Sequence, residues 1–317
     1  MEDKRKFIIY LDQNILSNLR EGEPARDELL RTLKHYQKHE PIFVYSQVHV
    51  EECRAFHDPD QFVRVIDEIK GFYIQPSERF EHNFEISPNR AKDLMLSKPD
   101  LASKAQEYIS ELLVLAQYVV GWLGKLESKE LQQELEKSID LLVPELQRET
   151  FGLLDVVSFR QILLESLRSI DLDKHKSDAL HQQPQTTCEW NERFNQIDNL
   201  ASDNVVEFIF SELGDEAKRR LIDTFPQKNW PNGPYANNGA LVGLTFLLFT
   251  QGVGRDPKVK KGNQSTRRKR FRAQFRDCRH IEEAARCDLF LSNDSGAIKL
   301  AQAAYAYAGV STEARVL

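Results

Sequence analysis

A chain of 317 residues, 41% hydrophobic and 29% charged, has a soluble globular composition and can bury one large core or two ordinary ones. Its net charge of -6 speaks against a general nucleic-acid coat protein but leaves room for a local basic strip. The four cysteines, Cys53, Cys188, Cys278 and Cys287, show no metal-knuckle spacing and are too few for a disulfide framework, so a reducing cytoplasm is the expected compartment.

The N-terminus passes directly into Phe7 to Leu11, a first strand, and nothing there reads as a secretory leader. Asp12 follows at once. Pro24 opens a helix with Leu29, Leu30, Leu33 and Tyr36 on one face, Pro41 stops it, and Ile42 to Tyr45 reads as a second buried strand. From Gln47 a helix carries Glu51 and Glu52 as far as the breaker at 58–60. Alternating strand and helix is the pattern of a parallel α/β sheet.

From Ser87 to Trp230 the pattern becomes helical: 101–121, 128–142, 151–170 and 191–225 with a break near Gly214, divided by a polar linker over 171–187. Beyond the turn cluster at Trp230 an apolar helix is expected over 240–249, about half the length a membrane span needs, so no membrane is expected as a partner. A helix over 267–286, a strand over 288–292, an Ala-rich helix after Asp294 and a last edge strand over 313–317 restore the α/β pattern. The expected organisation is an α/β domain over 1–86 and 237–317, discontinuous, with a mostly α-helical insertion or lid over 87–236.

Functional groups collect at the carboxyl ends of parallel strands. Asp12, Glu52 and Asp294 each follow an apolar strand, and Asp277 lies on the helix before the last buried strand. Any one of them is more often a cap or turn former than a ligand. Four carboxylates at one end of a sheet repel one another and resist ionisation unless cations neutralise them. Mg²⁺ and Mn²⁺ take such oxygen ligands and leave room for water and phosphate.

These residues carry a family resemblance. Tyr10-Leu11-Asp12-Gln13-Asn14 resembles the opening Asp-x-Asn motif of PIN-like nucleases. Ser46, with Glu52 six residues on, resembles their second motif, Glu51 being the adjacent alternative. Asp277 to His280, then Cys287 to Asp294 with its Ser-x-Asp ending, resembles the closing part. The resemblance covers about half the chain, and the long interval between Glu52 and Asp277 departs from a compact PIN domain. It implies a parallel sheet sandwiched by helices, with Mg²⁺ or Mn²⁺ coordinated by Asp12, Glu52, Asp277 and Asp294 as catalytic groups. Asn14 and Ser292 would orient ligands or the attacking water. His280, one helical turn from Asp277, either touches a phosphate or packs between helix and sheet, and His49 reads the same way.

Between Arg255 and Arg276 ten Lys and Arg meet a single acid, Asp256, which gives the strip about +9 and leaves the rest near -15. Arg267, Arg268, Lys269, Arg270, Arg272 and Arg276 are its candidate nucleic-acid contacts, since such charge binds phosphate without regard to sequence. A solvated loop or an acidic partner would use the same strip. Phe271 and Phe275 read as anchors to the core, and Asp288 as a turn or cap residue.

The leading expectation is a metal-dependent endoribonuclease, RNA being preferred on family grounds alone. The alternatives are a DNA nuclease of the same fold acting on single strands or flaps, and a non-catalytic binding or assembly module. The helical insertion is large enough to receive a protein partner or inhibitor.

Overall fold

The structure is a computed structural model, and it describes residues 6–37, 40–74, 84–85, 90–97, 117–118, 127–149, 155–181, 183–184, 186–236, 239–254 and 263–317. In chain order the elements are β1 (Ile8–Leu11), α1 (Gln13–Asn18), α2 (Arg26–Gln37), β2 (Ile42–Tyr45), α3 (Gln47–Arg54), α4 (Asp60–Ile69), β3 (Phe72–Ile74), β4 (Phe84–Glu85) and α5 (Arg90–Leu96). Then come α6 (Ser128–Glu149), α7 (Val156–Ser169), α8 (Leu172–His181), α9 (Thr187–Asn199), α10 (Ser202–Glu212), α11 (Asp215–Thr224) and a 3₁₀ turn (Gly233–Ala236). The chain closes with α12 (Ala240–Thr250), α13 (Gln264–Ala284), β5 (Leu289–Ser292), α14 (Ser295–Ala308) and β6 (Glu313–Val316).

The fold is α/β. Six strands form one sheet in the order β4-β3-β2-β1-β5-β6; five run parallel and β4 is antiparallel to β3. Strand alternation sorts β1 by face. Ile9 and Leu11 join Phe43, Tyr45, Leu289 and Leu291 in a core with α1 to α5, built from Leu16, Val50, Phe62, Ile66 and Met95. Tyr10 therefore points to the other face, where its ring meets Phe290 edge-on at 5.9 Å. The order of strands reverses direction at β1, since β1 leads to β2 on one side while β5 leads to β6 on the other. The crevice beyond the carboxyl ends of β1 and β5 is the switch point where α/β sheets bind ligands.

The chain divides into two compact units. The first holds residues 1–97, 192–256 and 274–317 and contains the sheet. The second holds 98–191 and 257–273. These limits differ from the insertion expected over 87–236. Residues 192–236 belong with the sheet because α10 buries Val206, Ile209 and Phe210 along α14, and Tyr307 of α14 donates to the Phe225 carbonyl at 2.9 Å. Helix α5 also belongs there, held where Arg54 donates to the Leu94 carbonyl at 2.7 Å. Residues 257–273 belong to the second unit, in which Arg268 forks onto Glu134 at 2.6 and 2.7 Å. That unit has its own core of Leu131, Leu135, Val143, Leu164 and Leu167.

The polar stretch expected as a linker over 171–187 is mostly helix α8. Asp171 accepts from the Lys174 N–H at 3.0 Å, as an N-terminal cap does, and Leu172 is buried. The helix expected over 101–121 lies outside the described residues except at 117–118. Among the described residues no helix is long and apolar enough to cross a membrane.

Candidate functional site

Asp12 is the first residue past β1, and its N–H continues the ladder to the Leu291 carbonyl at 2.9 Å. Only 3% of it is exposed. Its Oδ1 accepts from the Gln13 N–H at 2.7 Å and so caps α1. Its Oδ2 accepts from Ser292 Oγ at 2.6 Å and from Asn14 Nδ2 at 2.7 Å. Asn14 also donates to Ser292 Oγ at 2.9 Å, and its Oδ1 accepts from the Asn293 N–H at 3.1 Å. Ser292 Oγ in turn accepts from the Asp294 N–H at 2.9 Å. One hydrogen-bonded set thus ties the end of β1 to the end of β5. Asp294 caps α14, with Oδ1 accepting from the Gly296 and Ala297 N–H groups at 2.7 and 3.2 Å. The cap reading holds for both aspartates, and it is compatible with their facing one crevice.

Gly254 and Gly296 fix the wall beside Asp294. Gly254 has φ +61°, and a Cβ there would stand 2.2 Å from the Gly296 carbonyl oxygen. No side chain fits between the turn after α12 and the first turn of α14.

Glu52 reaches the crevice from α3. Its Oε2 meets His280 Nε2 at 2.8 Å, and its Oε1 lies 2.8 Å from Arg276 Nε. The same His280 nitrogen stands 3.9 Å from Asp12 Oδ1. Arg276, Arg279 and His280 recur at one-turn spacing on α13 and face α3 together. Arg279 forks onto Glu51 at 2.5 and 3.2 Å, and Glu52 is the member that shares His280 with Asp12.

Beneath these groups lies a fully buried polar tier. The Ser46 N–H donates to His49 Nδ1 at 3.0 Å, which leaves His49 Nε2 to carry the hydrogen and donate to the Leu11 carbonyl at 2.7 Å. Burial first, and His280 next, push the His49 pKa well below its ordinary value, so this imidazole is neutral. Tyr10 Oη lies 2.8 Å from both Ser46 Oγ and His280 Nδ1. Burial raises the Tyr10 phenol well above its usual range, so the hydroxyl stays protonated. Tyr10 thus links Ser46 to the imidazole whose other nitrogen faces Glu52. His280 therefore packs between helix and sheet and also holds a carboxylate.

The carboxyl groups feel one another. Burial raises Asp12 above the usual carboxylate range, with Glu52 adding to the rise and His280 and Ser292 opposing it. Asp277 is pushed well above, by burial first and then by the charges of Asp12, Asp294 and Glu52. Gln274 donates to its Oδ2 at 2.9 Å. Burial also works upward on Glu52, but the His280 hydrogen bond, with Arg276 and Arg279, outweighs it and holds that carboxyl below its ordinary value.

Of the four acids expected from the sequence, Asp12 and Glu52 share His280, and Asp277 feels the charges of the other three. Their donor chemistry suits a hard divalent ion. Among the described residues, however, no three His, Cys, Asp or Glu side chains stand together as a ready set of metal ligands. The physical reason is visible at Glu52, whose two oxygens already face His280 and Arg276.

The basic strip is less open than its charge suggests. Lys269 is exposed, Arg267, Arg270 and Arg272 are half-buried, and Arg268 and Arg276 face Glu134 and Glu52. Arg255, Lys258, Lys260 and Lys261 lie outside the described residues. Phe271 is buried, Phe275 stacks edge-on against Phe246 at 5.7 Å, and Asp288 accepts from the Ile8 N–H at 2.8 Å, as anchors and a turn residue should.

Three contributors were not assigned site roles from the sequence: Tyr10, Ser46 and Arg276 as a partner of Glu52. The signal for Tyr10 is strand alternation, which puts it on the same side of β1 as Asp12. No family model, no curated protein and no solved structure matches this chain.

Proposed function

We propose that the chain is a metal-dependent nuclease, most consistent with RNA as substrate, working at the switch point of a PIN-like, discontinuous α/β domain. The reading rests on Asp12, Glu52, Asp277 and Asp294, drawn from four separate segments: Asp12 and Glu52 share His280 as a neighbour, and the Asp277 carboxyl is pushed upward by burial first and then by the charges of the other three. Such a cluster at the carboxyl ends of β1 and β5 asks for a cation and a polyanion. A bound Mg²⁺ or Mn²⁺ would supply neutralisation, a polarised water and stabilisation of the leaving oxygen.

The residues of the chain prepare that chemistry. Asn14 and Ser292 fix the Asp12 carboxylate through Oδ2, and the α1 cap fixes it through Oδ1. His280, backed by Tyr10, holds Glu52 and stands 3.9 Å from Asp12. Asp277 supplies negative charge that an arriving cation would make ionisable. Lys269 and its neighbouring arginines support attraction of a phosphate backbone. The buried thiols Cys53, Cys278 and Cys287 favour a reducing cytoplasm. The helical second unit supports a role in admitting substrate or receiving a protein partner.

A specific observation favours a second reading, a non-catalytic module: the chain's own donors already satisfy Asp12 and Glu52. One experiment separates the readings. Labelled RNA and matched single-stranded and flap DNA are incubated with the protein in Mn²⁺ or Mg²⁺, against EDTA and against Asp12→Asn. Metal-dependent cleavage of RNA that Asp12→Asn abolishes is expected. Equal cleavage by variant and wild type removes the nuclease reading, and preference for DNA corrects the substrate.

A further inference from the structure

The two cations that face α3 from α13 are held differently. Arg279 makes a fork of two hydrogen bonds with Glu51, and both side chains are largely covered, 17% and 18% exposed. Arg276 lies as near to Glu52, with Nε 2.8 Å from Oε1, but its side chain is 40% exposed. Its Nε–H is buried without an in-line hydrogen-bond acceptor among the described residues. The contact is attraction between charges, lacking the directed bonds that make a guanidinium pair strong. Glu52 has a second anchor on its other oxygen, where His280 holds Oε2 from a rigid, buried position. The carboxylate therefore keeps its place if Oε1 changes partner.

We propose that Arg276 is a resident counter-cation of Glu52 that a divalent ion displaces, so that Glu52 Oε1 passes to the ion and the guanidinium is released toward a phosphodiester oxygen. This rests on the nuclease reading of the site and deepens it. It also accounts for the lack of a preformed set of metal ligands among the described residues: Arg276 stands 2.8 Å from Glu52 Oε1 while His280 holds Oε2. An ion of charge +2 takes the place of the single positive charge of Arg276 at Glu52, its second unit is met by the neighbouring acids that already act on one another electrostatically, and the arginine leaves toward an anion that arrives with the substrate. Arg279 stays paired and keeps α3 and α13 together throughout.

The test is a calorimetric titration of Mn²⁺ into the full chain, as wild type, Arg276→Gln, Arg276→Lys, Arg279→Gln and Asp12→Asn, with thermal melts to show that each is folded. Arg276→Gln should bind Mn²⁺ about three- to tenfold more tightly than wild type, the range expected for losing a competing, partly exposed charge. Arg276→Lys should stay near wild type, and Arg279→Gln should not tighten binding. Binding by Arg276→Gln alone, with none by wild type, also supports the exchange. Equal or weaker binding by a folded Arg276→Gln, with binding that still depends on Asp12, overturns the exchange and leaves the metal site standing. No Asp12-dependent binding in any variant overturns the nuclease reading itself. As a second readout, affinity for a short single-stranded oligoribonucleotide is measured against salt. In Ca²⁺ the log–log slope should be steeper for wild type than for Arg276→Gln by about 0.7, the signature of a single phosphate contact on a single strand. Identical slopes refute the release of the guanidinium toward substrate.

Discussion

Tyr10→Phe removes one oxygen from the centre of the polar tier and leaves the ring, with its edge contact to Phe290, in place. That oxygen lies 2.8 Å from Ser46 Oγ and 2.8 Å from His280 Nδ1, at a residue with no exposed surface. Each lost hydrogen bond is worth about 1 kcal/mol net, and a buried acceptor left without a donor adds about 1–3 kcal/mol. His280 Nδ1 becomes such a stranded group whichever way the hydrogen runs, because its surroundings are covered. The expected loss is therefore about 3–5 kcal/mol, a fall of roughly 6–20 °C in Tm for a unit of this size. Urea unfolding at neutral pH, with the slope compared between variant and wild type, measures it. In a His280→Leu background the same substitution should cost about 1 kcal/mol less or better, since no nitrogen is stranded. A Tyr10→Phe protein within about 0.5 kcal/mol of wild type, the range of an ordinary surface substitution, would mean that the tier is not formed as described.

Gly254→Ala should destabilise by more than about 2 kcal/mol, because the new Cβ meets the Gly296 carbonyl at 2.2 Å, whereas Gly22→Ala meets nothing within 4 Å and should cost about 1 kcal/mol for its left-handed backbone alone. Comparable losses in denaturant melts of the two would count against the close approach of those turns. Asp294→Ala should lose about 0.5–2 kcal/mol with its two cap bonds, while Asp294→Asn keeps most of them and should melt near wild type without metal. A large loss in the Asn variant would show that the charge itself stabilises the metal-free fold. Asp277 and Glu52 should respond to pH in opposite senses. The folded pKa of Asp277 is raised, so its contribution is present below the unfolded pKa and lost as pH rises through the folded value; Asp277→Asn should stabilise the metal-free protein at neutral pH. The folded pKa of Glu52 is depressed, so its contribution is present above the unfolded pKa and lost as pH falls through the folded value; Glu52→Gln should destabilise at neutral pH and much less in acid. Melts of both variants between pH 3 and 8 check the signs, and parallel curves for the two would refute the opposed environments.

The sequence was most readable where an element is both long and of one character. Strand β1 before Asp12, strand β5 before Asp294 and the apolar α12 all appear within a residue or two of where their side chains put them. Strands β3 and β4, of three residues and two, are too short to show a period of two, and α1 begins directly at Asp12 with only six residues. Helix α4 is another matter: Phe62, Val63, Val65, Ile66 and Ile69 are all buried, and their spacing marks an apolar helix face in the sequence itself. The true limits of the second unit were hidden because α10 and α6 are equally helical in pattern. Only tertiary contact decides that one packs against α14 and the other against α7. At the site, strand ends announced Asp12 and Asp294, whereas the pairing of Arg279 with Glu51 spans 228 residues and has no local signature.

The polar tier gives the site a foundation of a particular kind. An apolar layer of similar volume would hold α3 and α13 against β1 at least as well, since buried polar groups at best recover their cost of desolvation. What Ser46, His49, Tyr10 and His280 add is direction. His49 fixes the first turn of α3 to the end of β1 through Ser46 and the Leu11 carbonyl, one residue before Asp12. His280 fixes α13 to the same tyrosine and presents its other nitrogen to Glu52. The two carboxylates nearest the switch point are thereby referred to one strand, and their separation is set by hydrogen-bond lengths rather than by loop conformations. A site that must hold acids against their mutual repulsion, and yield one oxygen to an incoming ion without losing the rest, needs that kind of support.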